Sequence, residues 1–174
     1  MKSNFTIEEC NELISYHSIY DKINISEIGG DNNRGIKKDI IDYNVTLIYR
    51  DEKTQWVFDK IHNWLLDEYP KNIVNEMDMF YNFEYLPSMK FEKHVDRQRN
   101  CSWHLVVGAT LNTDFKGGDL ILYEPDGIAA ENVGEIYSIS AERPHAVTPI
   151  SEGIRYSFVF FISKKELGIP KTIL

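Results

Sequence analysis

Two histidines and one aspartate have the residue types and spacing of a metal-ligand set. His94 and Asp96 lie in the apolar, alternating run 90–96, a pattern typical of a β-strand. Side chains two positions apart leave a strand on the same face, so this imidazole and carboxylate are expected to converge. A third candidate ligand, His145, stands at the start of another predicted strand. A lone His-x-Asp is most often structural, but two histidines and one carboxylate form the facial triad that binds Fe(II) with coordination positions left open.

An arginine interrupts the last apolar run of the chain. Arg155 follows His145 by ten residues, within a run over 154–162 that otherwise has the composition of a core strand. A buried arginine without an anionic partner costs several kcal/mol, so this side chain requires a carboxylate. Ser157 lies on the same strand face, and the guanidinium and hydroxyl together could hold one carboxylate. The partner is either a bound dicarboxylate or an Asp or Glu of the protein.

These residues belong to a longer pattern that covers roughly 77–162. Its segments are Tyr85-x-x-Ser88-x-x-Phe91-x-x-His94-x-Asp96, Leu111-Asn112-x-x-Phe115-x-Gly117-Gly118-Asp119-Leu120, His145-Ala146-Val147-Thr148-Pro149 and Gly153-Ile154-Arg155-Tyr156-Ser157. In this pattern the sequence resembles the prolyl-4-hydroxylase-like branch of the 2-oxoglutarate- and Fe(II)-dependent dioxygenases. That family combines an early Tyr and an aromatic residue, His-x-Asp, a Gly-Gly-acidic turn, a distal His and a basic residue about ten positions beyond it.

The resemblance implies a role for each matching residue. The iron ligands would be His94, Asp96 and His145, and Arg155 would pair with the distal carboxylate of 2-oxoglutarate. Two further residues would complete the cosubstrate pocket: the Tyr85 hydroxyl would line it, and Ser157 would support Arg155.

The sequence departs from the family pattern at two positions. Ser88 stands where the family has Gly, which matters only if the turn requires a positive φ. Thr110 stands where many members have Tyr, so a threonine hydroxyl would have to replace a second phenolic contact to the cosubstrate.

The reaction implied by the resemblance consumes O2 and 2-oxoglutarate, releases succinate and CO2, and hydroxylates an unactivated C–H bond, with ascorbate as an accessory reductant. The family favours a prolyl residue in a peptide or protein as substrate, and a free amino acid or another small molecule is the alternative. A cupin-like binding module without turnover would account for the metal ligands but not for Arg155 and Ser157. A nucleobase-directed oxygenase is disfavoured by the negative charge of the chain.

Substrate selection is expected in two segments that the family pattern leaves free. The loop 97–103 follows the metal-binding strand directly, at the mouth of the pocket, and contributes Arg97, Arg99 and Trp103 as candidate substrate-binding residues. The second segment is 28–40, which is also basic on an otherwise acidic chain.

The elements that must position these residues fall into two parts. Helical spacing of apolar residues predicts one helix over about 6–20 and another from Thr54 until Pro70, with a strand at 43–49 between them. After position 76 short apolar runs alternate with turn residues: 77–86, 90–96, 103–111, 119–124, 133–140, 145–148 and 154–162. This pattern favours an antiparallel sandwich or barrel. With the resemblance, it predicts a mainly β fold, a double-stranded β-helix (jelly roll) of about eight strands at 77–162, buttressed by N-terminal helices within 1–76, in one domain spanning 1–174.

Composition limits the class and the compartment of the protein. Aromatic residues make up 13% of the 174 residues and charged residues 26%, as in a folded globular chain. Acidic residues outnumber basic ones 27 to 19, and the net charge of −8 disfavours nucleic acid and anionic membranes as partners. The two cysteines show no metal-binding or disulfide spacing, and we find no signal peptide or membrane span, so a soluble, cytoplasmic protein is expected.

Overall fold

The computed structural model of the protein describes residues 4–24, 41–69, 77–96, 103–129 and 132–163. Within these ranges the chain is mainly β, as predicted from the sequence. The helices are α1 (Ile7–Ile19) and α2 (Gln55–Glu68). The strands are β1 (Lys22–Asn24), β2 (Ile41–Asp42), β3 (Asn44–Tyr49), β4 (Met79–Tyr85), β5 (Lys90–His94), β6 (Trp103–Thr110), β7 (Phe115–Gly117), β8 (Leu120–Leu122), β9 (Gly127–Ala129), β10 (Tyr137–Ser140), β11 (His145–Val147), β12 (Ile150–Gly153) and β13 (Arg155–Ser163).

Two antiparallel sheets form the jelly roll. The larger sheet has the strand order β1-β3-β4-β13-β6-β10, and the smaller has the order β2-β5-β11-β8-β9. Apolar residues from both sheets, such as Phe83 and Val159 from the larger and Leu120 and Val147 from the smaller, pack in one buried cluster. β7 and β12 pair with each other in a separate two-stranded ribbon.

The larger sheet carries apolar residues on both of its faces, and each face packs against a different part of the protein. One face of β4 and β13 carries Phe80, Phe158 and Phe160, which are buried against the helices. The other face carries residues that belong to the cluster between the sheets, including Phe83 and Val159. We call these the helix face and the pocket face of the sheet. Because both faces of the sheet are covered, the sequences of β4 and β13 are nearly continuous runs of apolar residues.

Both helices begin close to the positions predicted from the sequence. The Thr6 hydroxyl accepts a hydrogen bond from the Glu9 backbone N–H, and the Glu9 carboxylate accepts one from the Thr6 backbone N–H, which forms a capping box. Helix α2 starts after Thr54 and ends at Glu68, two residues before Pro70. Both helices lie against the helix face of the larger sheet, with Leu13, Phe58 and Ile61 in its core.

A buried polar patch ties α1 to the helix face. Asn44 donates a hydrogen bond to the Glu84 carboxylate at 2.8 Å, and Lys22 forms an ion pair with the same carboxylate at 2.7 Å. The Thr46 hydroxyl lies 3.1 Å from Nδ1 of His17 of α1. These contacts satisfy polar groups that a purely apolar sheet face would leave without partners.

The sheets contain more strands than the predicted eight or so. The strand predicted at 43–49 is β3, whereas β1 and β2 were not predicted and add one strand to each of the two sheets. The short strands β7, β9 and β12 lie outside the apolar runs from which strands were predicted. These strands have only three or four residues and include turn-forming residues such as glycine, so local composition does not distinguish them from turns.

Candidate functional site

The three predicted metal ligands converge at one point between the sheets. His94 and Asp96 come from the end of β5, and His145 from the start of β11, where it is the cross-strand partner of His94. Nε2 of His94 lies 3.4 Å from one Asp96 carboxylate oxygen, and Nε2 of His145 lies 3.4 Å from the other. One potential ligand atom from each residue lies within 4.8 Å of the other two.

Asp96 reaches this point by a different route from the one predicted. Strand β5 ends at His94, and Asp96 lies in a bend beyond it. The two side chains therefore converge through the turn of the chain at the strand end rather than through strict alternation along one strand. The predicted grouping of His94 and Asp96 is right, whereas the predicted strand bounds, 90–96, are two residues too long.

Backbone carbonyl groups orient both imidazoles toward the carboxylate. Nδ1 of His94 lies 2.8 Å from the carbonyl oxygen of Glu92, and Nδ1 of His145 lies 2.9 Å from that of Arg143. When Nδ1 carries the proton and donates it to the carbonyl, the lone pair of Nε2 faces the centre of the cluster. Both histidines are thus held in the tautomer and direction of metal ligands.

The donor set fits a divalent cation. Nε2 of His94 is buried and has no hydrogen-bond partner in the described ranges, which is a cost that a bound cation would remove. Burial lowers the pKa of His145, and the adjacent His94 lowers it further against the opposing effect of Asp96, so His145 is neutral and able to ligate at neutral pH. Two imidazoles and one carboxylate match the facial-triad ligand set.

Arg155 lies in the same cavity and is 3% exposed. Its Nη1 donates a hydrogen bond to the Ser157 hydroxyl at 2.8 Å, and its Nη2 donates one to the Thr110 hydroxyl at 3.3 Å. No carboxylate forms an ion pair with it in the part of the chain that the structure describes. The sequence left open whether an Asp or Glu of the protein or a bound dicarboxylate pairs with Arg155. The described residues offer the guanidinium only neutral hydroxyls, so its charge is available for a bound anion.

The Gly-Gly turn makes room for this arginine. Gly117 and Gly118 have φ values of 73° and 71°, in the left-handed region that favours glycine. A Cβ atom on Gly118 would lie 2.9 Å from Cδ of Arg155 and 2.4 Å from Cδ1 of Ile150. The turn therefore supports the arginine through close packing as well as through backbone conformation.

The cavity that holds the triad and Arg155 has a volume of about 210 Å³ and is largely aromatic. Tyr85 is the cross-strand partner of Arg155, and the guanidinium carbon lies 5.5 Å from the centre of its ring. Burial raises the pKa of Tyr85, so the hydroxyl remains a hydrogen-bond donor at neutral pH. The other aromatic lining residues are Tyr43, Tyr81, Phe83, Phe91, Trp103, Tyr137 and Phe161.

The two departures from the family pattern have different outcomes. Ser88 has a φ of 74°, so the turn does require the conformation that a glycine adopts at lower cost. Thr110 is buried and bonds to Arg155, but it lines a second cavity on the other side of the arginine and not the cavity of the triad. The Thr110 hydroxyl accepts a hydrogen bond from Arg155 on the side of this second cavity. That Thr110 also contacts the cosubstrate, in place of the family's tyrosine, stays a prediction.

The candidate substrate residues are only partly within the described ranges. Trp103 lines the triad cavity and stacks on Phe161, with ring centroids 4.1 Å apart and planes at 18°. Arg97 and Arg99 lie outside the described residues, as does the whole segment 28–40. Sequence reasoning missed Tyr43 and Tyr137; Tyr137 lies in the alternating run 133–140, whose period indicates an inward face but not what that face contacts.

Comparison with known proteins gives a consistent result for the fold. The chain aligns with an oxidoreductase of the 2OG-Fe(II) oxygenase family from Burkholderia pseudomallei, with a TM-score of 0.70, 16% identity, and coverage of 92% of this chain and 81% of that one. A Pseudomonas putida prolyl-4-hydroxylase aligns with a TM-score of 0.70, 14% identity, and coverage of 94% and 90%. No protein-family model and no curated protein matches the sequence.

A third similar structure is a Trichoplax adhaerens prolyl hydroxylase in complex with a peptide fragment of the hypoxia inducible factor oxygen degradation domain. It aligns with a TM-score of 0.66 and 14% identity over 93% of this chain and 80% of that one. The chain therefore has the fold found in 2-oxoglutarate- and Fe(II)-dependent oxygenases, and the His-Asp-His cluster fits the use of these two cofactors. In the described ranges, neither helix has the length and apolarity needed to cross a membrane.

Proposed function

We propose that the protein is an Fe(II)- and 2-oxoglutarate-dependent dioxygenase that hydroxylates an unactivated C–H bond. The observation that carries the proposal is the pairing of two features in one cavity. A metal-ligand cluster stands there beside a buried arginine that has no carboxylate partner in the described ranges. A keto acid with a second, distal carboxylate would reach both the metal and the arginine.

The residues divide this work by chemistry. His94, Asp96 and His145 would hold Fe(II), which together with 2-oxoglutarate and O2 supplies the oxidising chemistry when bound. Arg155 would orient the cosubstrate through a bidentate pair with its distal carboxylate, and Ser157 would hold the guanidinium in place. The aromatic lining would exclude water from the reacting groups.

For the substrate we propose a prolyl residue of a peptide or protein. Two of the structures with this fold are prolyl hydroxylases, and one of these contains a bound peptide. Within this chain, the half-buried rings of Tyr81, Trp103 and Phe161 give the pocket an apolar wall that suits a pyrrolidine ring. Arg97 and Arg99 are proposed to contact the remainder of the substrate at the mouth of the pocket. A free amino acid is the alternative substrate.

The test is a succinate assay on the purified protein. The protein is loaded with Fe(II) in the absence of O2, supplied with 2-oxoglutarate, ascorbate and air, and tested with and without a library of proline-containing peptides. We expect succinate release in all cases and faster release with peptides that gain 16 Da. Iron binding without succinate release would instead identify a cupin-like binding module, and stimulation by free amino acids alone would identify the small-molecule alternative.

Asp96→Ala is the matched loss-of-function variant. Removing the one carboxylate ligand leaves only the two imidazoles, so stoichiometric iron and succinate release should both be lost. Asp126→Ala, at an exposed aspartate in the turn between β8 and β9, is the control and should keep both. Full activity in Asp96→Ala would overturn the metal-ligand assignment.

A further inference from the structure

Tyr137 is a pocket residue that comes from the edge of the larger sheet. It lies on β10, two strands away from the Arg155 strand β13 in the order β13-β6-β10. Adjacent strands are spaced by about 4.8 Å, so its backbone lies roughly 10 Å from that of β13. Its side chain nevertheless lines the same cavity as Arg155 and the metal-ligand cluster.

A glycine on the intervening strand lets this phenol reach inward. Gly108 of β6 is the cross-strand partner of Tyr137 on one side and of Val159 on the other. A Cβ atom on Gly108 would lie 2.7 Å from the Tyr137 hydroxyl oxygen and 2.9 Å from its Cζ. The far end of the ring therefore lies over Gly108, and the hydroxyl points across β6 toward β13. Any other residue at 108 would push the phenol away.

Among the described residues, none offers the Tyr137 hydroxyl a hydrogen bond. Within the described ranges it makes no hydrogen bond, although it lies in a cavity that also holds charged groups. Burial raises the pKa of Tyr137 to about 12, with Arg155 opposing the rise and Asp96 adding to it. The hydroxyl is thus a protonated donor, within electrostatic range of both the arginine and the metal-ligand cluster.

Arg155 also has unused capacity on the pocket side. Ser157 accepts from Nη1 and Thr110 accepts from Nη2, which leaves other N–H groups of the guanidinium for a ligand. A carboxylate has about four acceptor positions, more than one guanidinium edge satisfies. A neighbouring phenol that needs an acceptor is the natural second donor. At position 110, where the dioxygenase pattern often has a tyrosine, this chain has a threonine whose hydroxyl accepts a hydrogen bond from the arginine and which does not line the cavity of the triad.

We propose that Tyr137 donates a hydrogen bond to the distal carboxylate of 2-oxoglutarate, beside Arg155, and so supplies from β10 the phenol that position 110 lacks. The inference rests on the proposed function, because it requires the dicarboxylate cosubstrate. The competing interpretation is structural: the ring would only cover Gly108. Replacement by phenylalanine separates the two, since it keeps the ring and removes the donor.

The test measures binding rather than turnover. The protein is loaded with Mn(II) in place of Fe(II), without O2, and two keto acids of equal length are titrated: 2-oxoglutarate and 2-oxopentanoate, which lacks the distal carboxylate. Calorimetry reports the dicarboxylate, and Mn(II)-induced broadening of ligand proton NMR signals reports the weaker monocarboxylate. The variants are Tyr137→Phe, Arg155→Ala, and the control Tyr156→Phe. Tyr156 is next to Arg155 in sequence but contributes to the core on the helix face.

Tyr137→Phe should weaken 2-oxoglutarate binding roughly 10- to 100-fold, the range for a lost hydrogen bond to a charged group. Binding of 2-oxopentanoate and the unfolding temperature should stay within error of wild type, and Tyr156→Phe should bind both ligands like wild type. Wild-type 2-oxoglutarate affinity in Tyr137→Phe, with weakened binding in Arg155→Ala, would overturn the inference and leave the proposed function standing. An equal loss for both keto acids would also overturn it. Failure of the wild-type protein to bind 2-oxoglutarate would overturn both proposals.

Discussion

The two faces of the larger sheet differ sharply although the same strands supply both. On the helix face, Phe58, Phe80, Phe158 and Phe160 are each at most 1% exposed and meet edge to face or at a tilt, for example Phe58 and Phe160 at 5.2 Å and 87°. On the pocket face, the alternate residues of β13 begin with Arg155 and Ser157, and the rings around them leave a cavity.

This difference shows how one strand serves stability and chemistry at once. Successive side chains leave a strand on opposite sides, so Phe158 can fill a close-packed core while its neighbour Ser157 holds the guanidinium of Arg155. On the helix face, each buried aromatic ring adds to the stability of the fold. Within the described ranges, the pocket face keeps a guanidinium without a carboxylate partner, which lowers stability but leaves the charge available to bind a ligand.

The largest effect is expected on the helix face. Phe158→Ala removes a fully buried ring that contacts Phe5 and Phe80 at centroid distances of 5.0 and 6.2 Å, so it should cost about 3–5 kcal/mol of unfolding free energy. The matched variant Phe161→Ala, on the pocket face and only half-buried, should cost about half as much or less. Denaturant unfolding measures both. Equal losses would mean that the pocket face is packed as tightly as the core.

On the pocket face, the expected effect is on binding instead. Arg155→Met should weaken 2-oxoglutarate binding by about 100-fold, the loss of a bidentate charge-assisted pair, and Arg155→Lys should lose less. The unfolding free energy of Arg155→Met should match or exceed that of wild type, because a buried charge with only neutral partners is removed. Calorimetry and urea unfolding are the measurements. Unchanged affinity together with a large destabilisation would mean that the arginine pairs with a carboxylate of the protein.

The buried polar patch makes the helix face sensitive to acid. Burial lowers the pKa of His17 from 6.5 to about 4, against the attraction of Glu84 and with a smaller contribution from Lys22. Between these two values the unfolded chain takes up a proton at this position and the folded chain does not, so stability should fall as the pH drops from 6.5 toward 4. The loss should be on the order of 3 kcal/mol. Above pH 6.5 both states are neutral and the residue has no effect on the pH dependence.

His17→Gln is the variant that isolates this contribution, since glutamine stays neutral and polar against Thr46. Its unfolding free energy should fall less than that of wild type between pH 7 and pH 4, and the difference between the two curves should develop below pH 6.5. Parallel curves for the two proteins over this interval would show that His17 is protonated in the folded state.

The smallest effect is expected at the turn before β5. Ser88 holds a φ of 74°, which costs a non-glycine residue about 1–2 kcal/mol, and its backbone N–H donates to the Ile150 carbonyl at 2.8 Å. Ser88→Gly removes that cost but loosens the unfolded chain, so a net gain of roughly 0.5 kcal/mol should remain. Thermal unfolding measures it. A decrease in stability would indicate that the serine side chain contributes more than the conformation costs.

Prediction from the sequence was most successful for residues whose side-chain chemistry allows few roles, such as histidine and aspartate at metal-ligand spacing. His94, Asp96 and His145 could be grouped from their types and spacing, and the structure brings them together. The exact ends of β5 could not be predicted, because the bend that carries Asp96 depends on the neighbouring strand. The short strands β7, β9 and β12 were not predicted because three or four residues next to a turn have no detectable period.

The amino-acid sequence alone grouped the three candidate metal ligands and indicated the arginine that needs an anion, the two helices and the mainly β character, since each depends on the chemistry or local period of nearby residues. Only the tertiary structure decided which residues surround Arg155. Tyr137 precedes Arg155 by 18 positions in the chain. Its side chain lies in the same cavity because the strand between them, β6, has a glycine, Gly108, where the tyrosine ring passes over it. Such a contact depends on strand order and register across three strands, and no local pattern in the chain encodes it.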